Sequence, residues 1–209
     1  MAERTAGIVL AGGRSQRMGT SKAALEWHGS TLLRRAVGLV ARAVDGPLVV
    51  VRARGQELAD LPEDVELVED AREGRGPLQA IAAGLAQVGE RAGVVYVSGV
   101  DAPLLHPAFV RCVLRSLRAE DEIAVPRARG FAQPLAAAYR TTICVRLSEL
   151  IAHDRLATRA LLDGARVREL DAAALLADAA LAAADPQLDS LLNLNAPEEY
   201  GAARARPAP

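Results

Sequence analysis

Short apolar runs alternate along the chain with segments whose apolar residues recur at helical spacing. The apolar runs predict strands at residues 7–11, 47–51, 65–68, 93–98, 123–126, 134–138 and 167–170. Helical spacing, together with prolines that suit a first helical turn, predicts helices at 31–43, 77–88, 107–117, 142–153 and 157–162, and a last one that Pro197 opens. Ser30 is the expected N-cap of the first helix.

This alternation of strands and helices predicts the fold class. Near-continuous apolar strands separated by helices are typical of a parallel sheet that is covered on both faces. We therefore expect an α/β protein, a Rossmann-like three-layer α/β/α sandwich whose sheet is mostly parallel with a small antiparallel excursion. Residues 1–200 are expected to form a single domain and residues 201–209 a disordered tail.

Composition and charge narrow the possible partners. The chain has 209 residues, a net charge of -1 and only 3% aromatic residues, whereas nucleic-acid binders usually carry a basic surplus. No apolar stretch approaches the roughly 20 residues of a membrane helix, and no signal peptide is evident. We expect a cytoplasmic protein without a nucleic-acid or membrane partner. Cys112 and Cys144 lie among apolar residues, so both are expected to be small buried side chains with reduced thiols.

The stretch GIVLAGGRSQRMGTSK, residues 7–22, raises the main chemical question. Parallel sheets bind ligands at the carboxyl ends of their strands, and here a strand ends in two glycines. Glycines let backbone N–H groups approach an anion, and three nearby cations could neutralise a triphosphate: Arg14, Arg17 and Lys22. The spacing fits neither the Walker A loop nor the G-x-G-x-x-G fingerprint. A tight strand-to-helix turn with solvated arginines is the alternative.

The loop resembles the signature of the nucleotidyltransferases that make sugar nucleotides and dinucleotide cofactors, in particular the molybdenum cofactor guanylyltransferase family. Residues 10–22 match every fixed position of the pattern L-A-G-G-x-S/A-x-R-M-G…K. The resemblance implies that the Leu-Ala-Gly backbone contacts the base and that the basic residues contact the phosphates. The implied nucleotide-binding residues of this loop are Leu10, Ala11, Gly12, Gly13, Arg14 and Lys22, with Arg17 and Lys22 as catalytic cations. Gly13 is typical of guanylyl enzymes, since cytidylyl relatives usually have L-A-A-G.

Two further segments match the nucleotide side of the family pattern. In VEDAREGRGPLQAI, the resemblance implies that Asp70 lies near guanine, whose adjacent N–H donors suit a carboxylate. A carboxylate that caps a turn is the alternative for Asp70. Arg52 stands where the family often has a nucleotide-contacting Asn; it can still donate a hydrogen bond to a base or phosphate, so the resemblance implies Arg52 as a nucleotide-binding residue. Ala80 stands where the family often has Gly.

The segment VVYVSGVDAPLL resembles the family's metal-binding segment. The resemblance implies that the catalytic Asp101 binds both nucleotide and Mg²⁺, a cation that prefers oxygen ligands. The alternative is an Asp that caps the helix near His106. In LLNLNAPEEY, Asn193 and Asn195 alternate with Leu194 and should share one face of a strand. The resemblance implies Asn195 as a second metal ligand and Asn193 as an acceptor contact.

The segment FAQPLAAAYR resembles the part of the family that faces the acceptor substrate. The resemblance implies acceptor binding by Gln133 and Pro134, although Gln133 could equally close a hairpin.

Together these matches imply a Mg²⁺-dependent transfer of GMP from GTP to the terminal phosphate of molybdopterin. Pyrophosphate leaves, and the anionic attacking phosphate requires no general base. Molybdoenzyme-maturation proteins are possible partners. Three alternatives stay open: a cytidylyl enzyme for molybdopterin, a guanylyltransferase for a sugar phosphate, and a non-catalytic nucleotide-binding scaffold.

Overall fold

The computed structural model describes residues 3–12, 21–58, 61–70, 76–194 and 197–205. Its strands are β1 (Thr5–Leu10), β2 (Glu26–Trp27), β3 (Ser30–Thr31), β4 (Leu48–Ala53), β5 (Val65–Asp70), β6 (Val94–Gly99), β7 (Ile123–Ala128), β8 (Phe131–Ala132), β9 (Ala136–Arg140) and β10 (Val167–Leu170). Its α-helices are α1 (Leu32–Ala41), α2 (Pro77–Val88), α3 (Pro107–Ser116), α4 (Cys144–Ala152), α5 (Thr158–Asp163), α6 (Ala172–Leu176), α7 (Ala179–Ala184) and α8 (Pro197–Arg204).

The main sheet has the strand order β10-β7-β9-β6-β1-β4-β5, with β8 paired to β7. Strand β1 runs parallel to β4 and β6, and β4 runs parallel to β5, whereas β9 is antiparallel to both of its neighbours. The prediction of a mostly parallel sheet with an antiparallel excursion is confirmed. Strands β1, β4, β5, β6 and β7 therefore all end at one edge of the sheet, where β9 begins. We call this the carboxyl edge; its strand ends are Leu10, Ala53, Asp70, Gly99 and Ala128, and its strand start is Ala136.

Apolar side chains cover both faces of the sheet. On one face, Val9 and Val50 pack with Leu33 and Phe109 of α1 and α3. On the other face, the neighbouring strand positions pack with side chains of α2, α4 and α5, for example Ile81, Leu147 and Leu161. Because strand side chains alternate between faces, two such apolar layers require a buried sheet with helices on both sides.

The first helix begins one residue later than the sequence predicts. Ser30 does not cap α1, because it pairs with Trp27 in the short β2–β3 hairpin. Thr31 is the N-cap, and its Oγ1 accepts a hydrogen bond from the Arg34 backbone N–H at 3.1 Å. Trp27 then anchors the hairpin in a small apolar cluster with Leu32 and Leu194.

Two other expectations about burial and order need correction. Cys112 is buried, but Cys144 is exposed. Cys144 follows the fully buried Ile143 by one residue, which places it about 100° further around the helix. At the carboxyl terminus, α8 extends to Arg204 and buries Ala203, so residues 201–204 are helical where a disordered tail was expected. Residues 206–209 lie outside the described residues.

Within the described ranges, no helix is both long enough and apolar enough to span a membrane.

Candidate functional site

The carboxyl edge brings most of the described site candidates into one row. Asp70 ends β5, and Arg52 lies on β4 opposite Glu69, the residue before Asp70. Leu10 ends β1, Asp101 follows β6, and Gln133 precedes β9. Since neighbouring strands are about 4.8 Å apart, the four spacings from β5 to β9 span about 19 Å. A ligand lying along this edge would meet these candidates one after another.

At the centre of the row, Lys22 and Asp101 form an ion pair. Lys22 Nζ lies 3.3 Å from Asp101 Oδ2 and also donates to the Leu194 carbonyl oxygen at 2.6 Å. The Leu194 backbone N–H in turn donates to the Asp101 carbonyl oxygen at 2.8 Å. The two side chains are only 21% and 26% exposed, so the ion pair is largely shielded from solvent.

The end of β6 explains how Asp101 is presented. A Cβ on Gly99 would lie 2.6 Å from Asp101 Oδ1, so with any other residue at position 99 the Asp101 carboxylate would have to move from its present position over the strand end. The alternative role for Asp101, capping the next helix, is not observed. His106 caps α3 instead, since its Nδ1 accepts a hydrogen bond from the Ala108 backbone N–H at 3.1 Å.

Lys22 carries a signal that inspection of the motifs missed. The chain has 25 lysine and arginine residues, and Lys22 is the only lysine among them. An ammonium is a compact charge on a flexible stem, whereas a guanidinium is a planar fork with fixed donor directions. Because every other basic side chain of the chain is an arginine, the single lysine points to position 22 as one where a compact charge is used.

Gln56 is a further candidate for the site, and no motif pointed to it. Its Nε2 donates to the Ala11 carbonyl oxygen and to Ser21 Oγ, both at 3.1 Å. Its Oε1 accepts from the Ala53 backbone N–H at 3.0 Å. One side chain therefore joins the end of β4 to residues on both sides of the glycine-rich loop. Sequence reasoning missed it because an isolated glutamine after a strand has no recognisable pattern.

The backbone after β1 stays close to β4. The N–H groups of Ala11 and Gly12 both point to the Val51 carbonyl oxygen, at 2.8 and 3.3 Å. A Cβ on Gly12 would lie 3.1 Å from the Ala53 backbone nitrogen, which is tighter than ordinary contact. The absence of a Cβ on Gly12 thus eases the close approach of the two strands at the carboxyl edge.

Arg52 is held by neighbours within the fold. Its Nη2 lies 3.0 Å from Glu69 Oε1, and its Nη1 donates to the Gln56 carbonyl oxygen at 3.0 Å. Asp70 lies opposite Ala53 in the β4–β5 register and is partly buried. The loop after β4 and the end of β5 are therefore fixed to each other beside Asp70.

At the other end of the row, Gln133 closes a hairpin. Its backbone N–H donates to the Pro126 carbonyl oxygen at 2.8 Å, and its Nε2 donates to the Phe131 carbonyl oxygen at 3.2 Å. The Pro134 carbonyl oxygen accepts from Tyr139 Oη at 2.7 Å. Burial raises the pKa of Tyr139, which keeps this hydroxyl protonated as a donor.

The segment before α8 does not form the predicted strand. Residues 192–194 lie outside any helix or strand, with Asn193 exposed and Leu194 buried. The main chain of Leu194, not an alternation of side chains in a sheet, makes the contacts with Asp101 and Lys22. Four expected site residues lie outside the described residues: Gly13, Arg14, Arg17 and Asn195.

The donors relevant to a magnesium ion are the oxygen atoms at the carboxyl edge. Among the described residues, no group of three or more His, Cys, Asp and Glu side chains could hold a metal. Mg²⁺ is commonly bound by one or two carboxylates together with substrate phosphates and water. Asp101 offers one partly exposed carboxylate at the centre of the row. This donor set fits a magnesium ion that arrives with a phosphorylated substrate.

Replacing Gln56 with Ala is expected to weaken nucleoside triphosphate binding about tenfold. The substitution removes the link between Ala11, Ser21 and Ala53, and it leaves the Ala53 N–H without its acceptor, at a cost of about 1–3 kcal/mol. Gln87→Ala is the matched control, because the Gln87 side chain contacts Glu66 near the end of α2. Calorimetric titration measures both. Equal affinities would show that Gln56 does not shape the site.

Comparison with known proteins gives consistent matches. The family model described as the MobA-like NTP transferase domain matches residues 7–173. A probable molybdenum cofactor guanylyltransferase of Mycobacterium avium (strain 104) is 35% identical over 169 residues, which cover 79% of this chain and 84% of the relative. A protein of the same description from Bacillus cereus (strain Q1) is 28% identical over 197 residues, covering 93% of each chain.

Among solved structures, the molybdopterin-guanine dinucleotide biosynthesis protein A of Archaeoglobus fulgidus superposes with a TM-score of 0.71. The match covers 95% of this chain and 96% of the other at 22% identity. At this identity the structural likeness supports the fold.

Proposed function

Since the chain belongs to the family of MobA-like NTP transferase domains, we propose that it transfers GMP from GTP to the terminal phosphate of molybdopterin. The observation that carries this proposal is the Lys22–Asp101 pair at the centre of the carboxyl edge. It lies between Asp70 at one end of the row and Gln133 at the other. Curated relatives described as molybdenum cofactor guanylyltransferases support the choice of substrates.

The reaction is a single displacement at phosphorus. A terminal phosphate oxygen of molybdopterin forms a bond to the α-phosphorus of GTP, while the bond from that phosphorus to the oxygen bridging to the β-phosphate breaks. Pyrophosphate departs with the electron pair. The attacking phosphate is already anionic, so no proton has to be removed. Catalysis then rests on alignment and on neutralising the charge of the leaving group.

The two central residues take different parts in this step. Lys22 places its ammonium against the pyrophosphate as negative charge develops there, and Arg14 and Arg17 are proposed as further cations. Asp101 would hold Mg²⁺, with Asn195 as a proposed second oxygen ligand. The bound ion would neutralise phosphate oxygens as a Lewis acid.

The ends of the row would select the two substrates. At β5, Asp70 would accept hydrogen bonds from the adjacent N–H donors of guanine, beside the Leu10, Ala11 and Gly12 backbone. Arg52 contributes by bracing the Gln56 loop. At β9, Gln133 and Pro134 would face molybdopterin, as would Asn193. The dinucleotide product would then pass to molybdoenzyme-maturation proteins.

Nucleotide selectivity tests the base assignment directly. We expect calorimetry with Mg²⁺ to show tight binding of GTP and weak binding of CTP, ATP and UTP. The Asp70→Asn variant should lose most of this selectivity, because the amide replaces one of the two accepting oxygens with an NH2 donor, which would face one of the guanine donors. Asp64→Asn is the control, because Asp64 lies just before β5, at the opposite end of the strand that Asp70 ends. A preference for CTP would instead identify a cytidylyl enzyme.

The acceptor is tested separately with GTP labelled at the α-phosphate. Label should pass to molybdopterin and not to a hexose 1-phosphate. Absence of transfer to any acceptor, together with absence of triphosphate binding, would contradict the enzyme assignment.

A further inference from the structure

A short, well-braced hairpin stands at the acceptor end of the carboxyl edge. It consists of the end of β7, the turn Arg129–Gly130 and β8, and we call it the β7–β8 hairpin. Ala128 pairs with Phe131 across the turn. Both turn residues have positive φ, +52° at Arg129 and +81° at Gly130, which is the geometry of a tight type I′ hairpin.

An arginine fixes the base of the β7–β8 hairpin. Arg127 Nη1 donates to both carboxylate oxygens of Glu169 on β10, at 2.7 and 2.9 Å. Its Nη2 donates to the Gly130 carbonyl oxygen at 2.6 Å. The turn is thus tied to the main sheet, and a side chain on it is held in a defined place.

Sheet register places this hairpin beside the Asp101 loop. Ala136 of β9 is opposite Ser98 of β6. The Pro126 carbonyl oxygen of β7 accepts a hydrogen bond from the Gln133 backbone N–H, in the turn just before Ala136, so Pro126 is at about the same level as Ser98. Strand β7 continues past Pro126 for two more residues, so its end at Ala128 lies about 7 Å beyond the level of Ser98. The hairpin lies two strands from β6, a lateral distance of about 10 Å. It therefore rises next to the place where Asp101 is held.

The β7–β8 hairpin exposes an aromatic ring. Phe131 is 74% exposed, whereas Phe109, the other phenylalanine of the chain, is fully buried in the core. The neighbouring Ala132 packs against the apolar layer of α2 and α4. Because strand side chains alternate, Phe131 faces the opposite side, on which Val100 and Ala102 flank Asp101.

We propose that Phe131 stacks on the pterin ring of the acceptor and so sets the position of its phosphate. This inference rests on the proposed function. The nucleotide occupies the row from β5 to β1, and the acceptor phosphate must reach Lys22 and Asp101. The pterin, at the far end of the acceptor, then extends toward β9 and β7, where Phe131 presents an exposed, flat apolar surface. Stacking on an aromatic side chain is a common way to bind a heterocyclic ring.

The test compares Phe131→Ala and Phe131→Trp with the wild type, using molybdopterin as acceptor and GTP at saturation. Phe131→Ala should raise the KM for molybdopterin about tenfold, equivalent to about 1.4 kcal/mol, with the Kd for GTP unchanged. Phe131→Trp should keep the wild-type KM, because indole also stacks. Val145→Ala is the matched control, since Val145 is another exposed apolar side chain and lies on α4, outside the carboxyl edge.

A spectroscopic signal provides a second readout. The only tryptophan of the chain, Trp27, is buried, so Phe131→Trp adds an exposed fluorophore. Molybdopterin should quench this added fluorescence, and GTP alone should not. An unchanged KM in Phe131→Ala, together with unquenched fluorescence of the introduced indole in Phe131→Trp, would overturn the inference while leaving the proposed function intact. A wild type that binds GTP but transfers nothing to molybdopterin would overturn both.

Discussion

Asp101→Asn should lower turnover by at least about 10²–10³-fold and remove most of its response to Mg²⁺. An asparagine keeps the shape of the side chain but loses the charge that would hold a divalent ion. It also leaves Lys22 beside a neutral group, because Lys22 Nζ lies 3.3 Å from Asp101 Oδ2. Removing one preorganised charge at a reacting phosphorus commonly costs about 3–4 kcal/mol of transition-state stabilisation.

The measurement is initial rate against Mg²⁺ concentration at saturating GTP, together with Mn²⁺ binding followed by electron paramagnetic resonance in the presence of GTP. Asp163→Asn is the control, since that aspartate is 62% exposed and pairs with Arg159 on the surface of α5. If Asp101→Asn keeps the Mg²⁺ dependence and the Mn²⁺ affinity of the wild type, the ion is bound elsewhere.

The fold was predictable because buried parallel strands have a strong sequence signal. Runs such as PLVVV and GVVYVS are apolar on both faces, and only a sheet covered by helices on both sides accommodates them. The errors lie where tertiary contacts outweigh local preference. Ser30 is a good N-cap, yet its pairing with Trp27 delays the helix by one residue. Cys144 has apolar neighbours in the sequence, yet its position on α4 exposes its side chain to solvent.

In the candidate site too, residues that belong to a motif could be named from the sequence, whereas residues placed by tertiary contacts could not. Lys22 and Asp101 could be named as candidates from the sequence, because glycine loops and acidic strand ends form recognisable patterns. Gln56 was not, since its role comes from three partners, two of which are distant along the chain. The segment near Asn193 was recognised for its asparagines, but the observed contacts are made by the Leu194 main chain. Backbone hydrogen bonds cannot be read from the sequence, because nearly every residue type carries the same N–H and C=O groups.

The geometry around Leu194 has a further consequence for the site. Its N–H and C=O bond to Asp101 and Lys22, and its side chain packs in the Trp27 cluster. The carboxyl-terminal segment therefore fixes the positions of Lys22 and Asp101 relative to each other. This link joins residues that are far apart in sequence, so the site depends on a segment outside the region that the family model matches.

Lys22→Ala should lower turnover about 10²–10³-fold while the protein stays folded. The substitution removes the ammonium that we propose to face the leaving pyrophosphate, a contact whose loss commonly costs about 3–4 kcal/mol in the transition state. Lys22→Arg should restore little, because a planar guanidinium cannot replace a compact charge that also donates to the Leu194 carbonyl. Arg159→Ala, which removes a cation that is 88% exposed, is the control.

Single-turnover rates, with thermal unfolding recorded for each variant, separate chemistry from loss of structure. Because Lys22 is the only lysine, an amine-reactive reagent labels one side chain, and peptide mapping distinguishes it from the amino terminus. GTP with Mg²⁺ should protect Lys22 from labelling, since a phosphate contact shields the ammonium. Turnover of Lys22→Ala within threefold of the wild type, a change of only about 0.7 kcal/mol, together with unprotected labelling, would show that Lys22 only braces Leu194 and that the cations for pyrophosphate lie elsewhere.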